Sequence, residues 1–399
     1  MTANDVRADF PFFANSENCV YLDSAATTQK PQTVIDALTE FYNKYNANVS
    51  RGEYPLADAA TRAYGEARRK VGRWFGADEK NVAFTYNATD ALNAAAQMLG
   101  DRVKRGKNVV VSPLEHHSAL LPWMKICKES GAELRFVPLA ADGSVDLNAL
   151  EKLTDENTCA AVMTAGSNVS GYRAPLEKIC GFFADKNVPL VIDAAQAAAH
   201  EKTDASKLKF EYMCLSAHKT YGPMGLGVLI SGNDAARERA FRLGGGTVDE
   251  VTADGFTLRS APESLEAGTP NVAGAVAFGA AIDYLSSLDV DALWKNECEL
   301  ADALRCELEK MNIRVAPCGK DPLPVVSFAA DFMHPLDMAR LLGSFGFCVR
   351  SGRHCAHTAT NALGFDSTVR VSLGIYNTRE EINDLIEKIK FLKGKYGKL

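Results

Sequence analysis

Between residues 82 and 230 one unit recurs: a short, almost wholly apolar run, then a stretch with helical spacing. The runs cover 82–85, 109–111, 134–137, 160–164, 189–193, 212–215 and 228–230. A strand with one wet face alternates apolar and polar residues, and these runs do not. They predict a mainly parallel, seven-stranded sheet covered by helices on both faces, in an α/β fold. In such sheets ligands bind beyond the carboxyl ends of the strands. Thr89, His116, Asn168, Asp193 and Lys219 each stand at, or just past, the end of a run. Their shared placement weighs more than any one of them.

The flanking segments read differently. Phe10, Pro11, Phe12 and Phe13 form an apolar arm suited to docking on the fold, and Val20-Tyr21-Leu22-Asp23 is a short strand. Helical spacing marks 31–45 and 57–75. In the second of these, Arg62, Arg68, Arg69 and Lys70 read as a solvated face. An irregular loop, 46–56, contains Arg51. An arginine-rich helix is expected after 228–230, and Asp254-Gly255 reads as a hairpin turn. From about residue 286 the pattern becomes a charged helix, strands near 325–328, 348–350 and 369–373, and a last helix over 380–396. This predicts a large domain over 15–286 and a small α+β domain over 287–399, with the arm 1–14 joining the latter. A net charge of −6 and a pI near 5.8 argue against nucleic acid as the partner. No stretch reads as a membrane span, and the first residues lack the apolar core of a signal peptide. The ten cysteines are spread singly, with no Cys-x-x-Cys pair, so reduced thiols in a cytoplasmic protein are expected.

Lys219 is the most telling of the five polar residues. It lies in Ser216-Ala217-His218-Lys219-Thr220-Tyr221-Gly222-Pro223, directly after an apolar run. Lysine seldom goes inside unless its charge is paired or its amine is used. A desolvated lysine is the usual means of holding an aldehyde cofactor as a Schiff base. A site for pyridoxal 5'-phosphate needs further parts. These are a carboxylate for the ring nitrogen, a donor for the phenolic oxygen, a plane to stack on the ring and a cradle for the phosphate. Asp193, Gln196, His116 and Thr89 can fill those roles in turn, and Ser216 and His218 can add phosphate contacts. Singly, Asp193 can be a strand-end cap, His116 a loop histidine and Thr89 a plain helix N-cap. The combination favours the cofactor.

The stretches 216–223 and Asp193-Ala194-Ala195-Gln196, with those quoted below, resemble the class V aminotransferase-like branch of fold type I pyridoxal phosphate enzymes. More narrowly, they resemble the group II cysteine desulfurases of the SUF and CSD type. The matching runs span nearly the whole chain. They include Tyr21-Leu22-Asp23-Ser24-Ala25-Ala26-Thr27, Glu115-His116-His117-Ser118, Glu266-Ala267-Gly268-Thr269-Pro270-Asn271 and Val349-Arg350-Ser351-Gly352-Arg353-His354-Cys355-Ala356. The resemblance implies a homodimer in which Thr269 reaches the cofactor phosphate bound by the partner. It also implies that Arg370 binds the substrate carboxylate with help from Asn168, that Arg350 and Ala26 stand beside the substrate, and that Ala88 joins the phosphate cradle.

Cys355 is the second centre. Arg350, Arg353 and His354 give it a positive setting, which favours the nucleophilic thiolate. The implied reaction converts L-cysteine to alanine. Lys219 removes the α-proton, with His116 beside it, and Cys355 attacks the substrate sulfur and keeps it as a persulfide. An acceptor protein of the SUF or CSD type then collects the sulfur. Several positions depart from the family pattern: Ser50, Tyr54, Ala88, Ala165-Gly166, Arg353 and His357-Thr358. They bear on substrate preference and acceptor docking, and leave L-selenocysteine or cysteine sulfinate as alternative substrates. A decayed scaffold in a sulfur-transfer complex is disfavoured, because such a site has no reason to keep Lys219, Asp193, Gln196 and Cys355 together.

Overall fold

The computed structural model describes residues 3–16, 18–50, 52–232 and 240–397. Arg51 and most of the expected arginine-rich helix lie outside them. The short strand β1 (Val20–Tyr21) comes first. Seven strands form the main sheet: β2 (Val82–Thr85), β3 (Asn108–Val111), β4 (Glu133–Phe136), β5 (Thr158–Thr164), β6 (Leu190–Asp193), β7 (Tyr212–Ser216) and β8 (Gly227–Ser231). Their order is β2-β8-β7-β6-β5-β3-β4, and only β8 runs against its neighbours.

The apolar runs have the expected cause. Successive side chains leave a strand on opposite faces. Val110, Ala161, Met163, Ile192 and Leu215 enter one hydrophobic cluster, and Val109, Val111, Ala160, Val162, Val191 and Cys214 enter another. Both faces are therefore dry. Burying each large aliphatic side chain there is worth roughly 1.5–3 kcal/mol.

The hairpin of β9 (Val248–Thr252) and β10 (Gly255–Leu258) turns at Thr252-Ala253-Asp254-Gly255. The C-terminal sheet is antiparallel, in the order β11 (Arg314–Val315), β12 (Val325–Ala329), β15 (Thr368–Ser372), β14 (Arg350–Gly352). Its cluster includes Leu300, Leu304, Phe328, Val369 and Ile389. The segment Val20–Tyr21 sits within the span expected to belong to the large domain, yet β1 pairs in parallel with β13 (Phe347–Cys348). Leu22 is buried in the C-terminal cluster, and Asp23 bridges to Ser372. The N-terminal arm also touches both parts. Phe10 packs edge-on against Tyr221, Tyr284 and Tyr376, while Arg7 pairs with Glu381.

Two local expectations are corrected. Arg68, on the helix Pro55–Phe75, is not on a solvated face. It is 8% exposed and donates to both carboxylate oxygens of Glu266, at 2.6 and 2.9 Å. Thr89 is not a helix N-cap: the helix Ala88–Leu99 is capped by Asn87, whose side chain accepts from the Asp90 N–H. Thr89 is thereby released from capping. Among the described residues no single helix is long and apolar enough to cross a membrane.

Candidate active site

A cavity of about 350 Å³ opens at the carboxyl ends of the main-sheet strands, against the C-terminal sheet. Ala26, Ala88, Thr89, His116, Asn168, Asp193, Gln196, Ser216, His218, Lys219, Arg350, Cys355 and Arg370 all line it. Thr269 does not. It lies in a separate hollow with Tyr86, Asp90 and Asn271.

Lys219 ends a short turn after β7 and is half-buried, lining the cavity. Burial lowers its ammonium to about 8, Asp193 and Cys355 oppose this, and Arg370 and Arg350 reinforce it. An amine brought closer to neutral pH exchanges a proton more readily than an ordinary lysine. The turn is pinned from the N-terminal segment. The His218 carbonyl accepts from Lys30 Nζ at 2.8 Å, from the Thr28 N–H at 3.1 Å and from Thr27 Oγ1 at 3.1 Å. Lys30 is itself lowered to about 7 by burial.

Asp193 ends β6, buried, with Oδ1 accepting from the Ala195 N–H at 3.0 Å. Burial raises its carboxyl, while that N–H and Lys219 act the other way. Behind it, Glu115 Oε1 accepts from Ser112 Oγ and the Thr164 N–H, both at 2.7 Å. Burial above all, then the Asp193 charge, pushes Glu115 up to about 8. Burial therefore favours the protonated, neutral form of Glu115.

His116 caps the helix His117–Ser130. Its Nδ1 accepts from the Ser118 N–H at 3.1 Å, which assigns the ring proton to Nε2. Burial first, then the Lys219 charge, holds this ring down to about 3, so it is neutral. At one end of the cavity Thr89 Oγ1 meets Ser118 Oγ at 2.6 Å, and the Ala88 N–H reaches Ser216 Oγ at 2.8 Å. These groups surround the N-terminus of the twelve-residue helix Ala88–Leu99, a favourable place for an anion. Gln196 Nε2 donates to the Ala25 carbonyl at 2.9 Å.

The far wall belongs to β14 and β15, where Arg350 and Arg370 face each other in register. Asp23 clamps both: Oδ1 accepts from Arg370 Nη2 and Oδ2 from Arg350 Nη2, each at 2.8 Å. Asn168 links this wall to the cysteine loop. Its carbonyl accepts from Arg370 Nη1 at 3.1 Å, and its Nδ2 donates to the His354 carbonyl at 2.8 Å.

Cys355 is exposed at the cavity mouth. His354 and Cys355 both have left-handed backbones, with φ of 52° and 54°. Such consecutive conformations are uncommon outside glycine and turn the cysteine outward. The loop is tied down by the His117 N–H, which donates to the Cys355 carbonyl at 2.8 Å. The expected positive setting needs correction. His354 is buried and held down to about 3, by burial and then by Arg370 and Arg350, so it carries no charge. Arg353 Nε donates to the Asp366 carbonyl at 2.9 Å. Arg350 is the neighbour whose ionisation responds to Cys355. His357, a departure from the family pattern, meets His117 instead, Nδ1 to Nε2 at 2.7 Å.

Asp23, Lys30 and Ser118 were missed as site residues. Asp23 ends a short apolar run, the same signal that singled out the other five. Lys30 gives no local signal, because its partner carbonyl is 188 positions away.

The donor set fits pyridoxal 5'-phosphate. A helix N-terminus with hydroxyls can hold its phosphate, buried Asp193 its ring nitrogen, neutral His116 its ring face and Lys219 its aldehyde. His218 Nδ1, at the same cavity, is buried without a partner.

Residues 20–385 match the family described as Aminotransferase class-V. The chain belongs to this family. Its members depend on pyridoxal 5'-phosphate. A probable cysteine desulfurase of Vibrio cholerae is 38% identical over 96% of each chain. The apo cysteine desulfurase of Thermococcus onnurineus NA1 superposes with a TM-score of 0.94 at 33% identity, covering 100% of this chain and 99% of that one. The cysteine desulfurase CsdA of Escherichia coli superposes with a TM-score of 0.91, also at 33% identity, over 98% of each.

Proposed function

We propose that this class V enzyme is a cysteine desulfurase that converts L-cysteine to L-alanine and keeps the sulfur on Cys355. The observation that carries the reading is that Cys355 and Lys219 open into one cavity from opposite walls. Cys355 is close enough to raise the Lys219 ammonium against the effect of burial. When bound, pyridoxal 5'-phosphate supplies an aldehyde for amines and a ring that stabilises negative charge on the adjacent carbon. Arg370 binds the substrate carboxylate, and Asn168 and Arg350 orient it. Lys219 Nζ takes the α-proton and returns a proton to carbon. Neutral His116 covers the ring and keeps water off that face. The Cys355 thiolate attacks the substrate sulfur: the carbon–sulfur bond breaks, a sulfur–sulfur bond forms, and the three-carbon fragment leaves as alanine. The balance is cysteine plus enzyme thiol giving alanine plus enzyme persulfide, with no outside oxidant.

The exposed left-handed turn at Cys355 suits a persulfide handed to an acceptor protein of the SUF or CSD type. Thr269, outside the cavity of its own chain, suits a homodimer in which it serves the partner's cavity. The ten cysteines, with no disulfide among the described residues, suit a reducing cytoplasm.

The test is to incubate purified holoenzyme with L-cysteine, quantify alanine, and find one added sulfur on the Cys355 peptide by mass spectrometry. Cys355→Ala should keep the bound-cofactor absorbance and lose alanine release from cysteine by at least about a hundredfold, on the order of 2.7 kcal/mol of barrier. Alanine release at the wild-type rate by that variant would overturn the persulfide role.

A further inference from the structure

The β1–β13 pair carries a feature that the desulfurase reaction does not use. Cys19 Sγ lies 3.3 Å from Cys348 Sγ. Both side chains are half-buried, and neither lines the cofactor cavity. In register, Cys348 stands opposite Tyr21, and Cys19 immediately precedes β1. The backbone on both sides is already tied. The Val20 N–H donates to the Gly346 carbonyl at 2.9 Å, and the Leu22 N–H to the Cys348 carbonyl at 3.1 Å. A sulfur–sulfur bond is about 2.05 Å long, so the two atoms need close by little more than about 1 Å. Burial, then the contact with Cys19, pushes the Cys348 thiol up to about 12. Either sulfur can donate to the other across this contact.

We propose that Cys19 and Cys348 form a reversible disulfide in response to hydrogen peroxide. Cys19 Sγ attacks the peroxide, the oxygen–oxygen bond breaks, and Cys19 becomes a sulfenic acid as one water leaves. Cys348 Sγ then displaces the hydroxyl, which leaves as a second water with the Cys348 proton. The peroxide is reduced to two waters, and the two thiols are oxidised together by two electrons. The bond staples the seam that runs directly into Asp23, the clamp of Arg350 and Arg370. The inference is independent of the roles given to Lys219 and Cys355.

The experiment uses holoenzyme carrying Cys355→Ser, so that the exposed active-site thiol does not compete. It is treated with equimolar hydrogen peroxide, blocked with an alkylating agent and digested without reductant. The expected result is one peptide joining Cys19 to Cys348, loss of two free thiols per chain, and their return with dithiothreitol. Cys19→Ser in the same background should give no such peptide. In the linked protein, hydrogen exchange at the Val20 and Leu22 amides should slow at least about tenfold. Recovery of both cysteines as separate alkylated peptides, once exposed Cys306 has been oxidised, would overturn the proposal. So would a bond from Cys348 to any other cysteine.

Discussion

Replacing Arg68 with methionine keeps most of the side chain's length and removes its guanidinium from Glu266. The carboxylate then loses donors at 2.6 and 2.9 Å. It retains the Phe84 N–H at 2.6 Å and the Tyr64 hydroxyl at 2.8 Å. The Val82 carbonyl, which accepts from Arg68 Nη1 at 2.6 Å, also loses a partner. The side chains are only 10% and 8% exposed, so water cannot replace what is lost. Breaking a buried ion pair from one side costs about 3–5 kcal/mol, and the two remaining donors place this case at about 3–4. Urea unfolding followed by circular dichroism at 222 nm measures the change, taken from the transition in which the main sheet is lost. The double variant Arg68→Met with Glu266→Gln should cost less than Arg68→Met alone, since it leaves no unpaired charge. A single-variant loss below about 1 kcal/mol, or one that disappears in 1 M salt, is the behaviour of a surface pair and would refute the argument.

Two further outcomes follow from the site. Glu115 is raised from the ordinary 4.5 to about 8, so the native state holds a proton that the unfolded chain releases across that window. Its contribution to stability falls as pH rises from 4.5 to 8, by at most about 1.4 kcal/mol per pH unit. Glu115→Gln should therefore gain on the wild type in thermal melts between pH 5 and pH 9, and an equal difference at every pH would count against a neutral Glu115. At Gly227 an added Cβ would lie 2.4 Å from the Asn87 carbonyl carbon and 2.5 Å from its Cα. Gly227→Ala must displace the Asn87 cap, and apoenzyme titrated with pyridoxal 5'-phosphate should bind about tenfold more weakly, or ~1.4 kcal/mol. Gly181→Ala, with nothing within 4 Å, is the control, and equal affinity for the two variants would separate the cap from the phosphate cradle.

What the sequence discloses depends on how local the physics is. Strands buried on both faces announce themselves through composition alone, so the main sheet and the residues at its strand ends were legible. Lys219, Asp193 and His116, which line one cavity, could be picked out together because strand ends are local features. Arg68 was misread because helical spacing offers no distinction between a charged residue facing water and one facing a partner 198 positions away. The charge on His354 was misjudged for a related reason. Its neighbours in sequence promise a positive cluster, but burial keeps the ring neutral. The cap at Asn87 was missed by two residues, within the usual uncertainty of helix ends. Asp23 was visible as a strand end, but nothing nearby in the chain hinted that it would hold two arginines from β14 and β15.

The Asp23 clamp also bears on how the protein is made. Its partners are 327 and 347 residues further along the chain. At about 5–20 residues per second, the ribosome needs roughly 17–70 s to synthesise that stretch. For that whole interval Asp23 has neither arginine to hold. Lys219 is synthesised long before the wall that faces it. A chain not yet made as far as Arg370 therefore carries the amine without the thiol-bearing wall, which closes only after β14 and β15 have been synthesised.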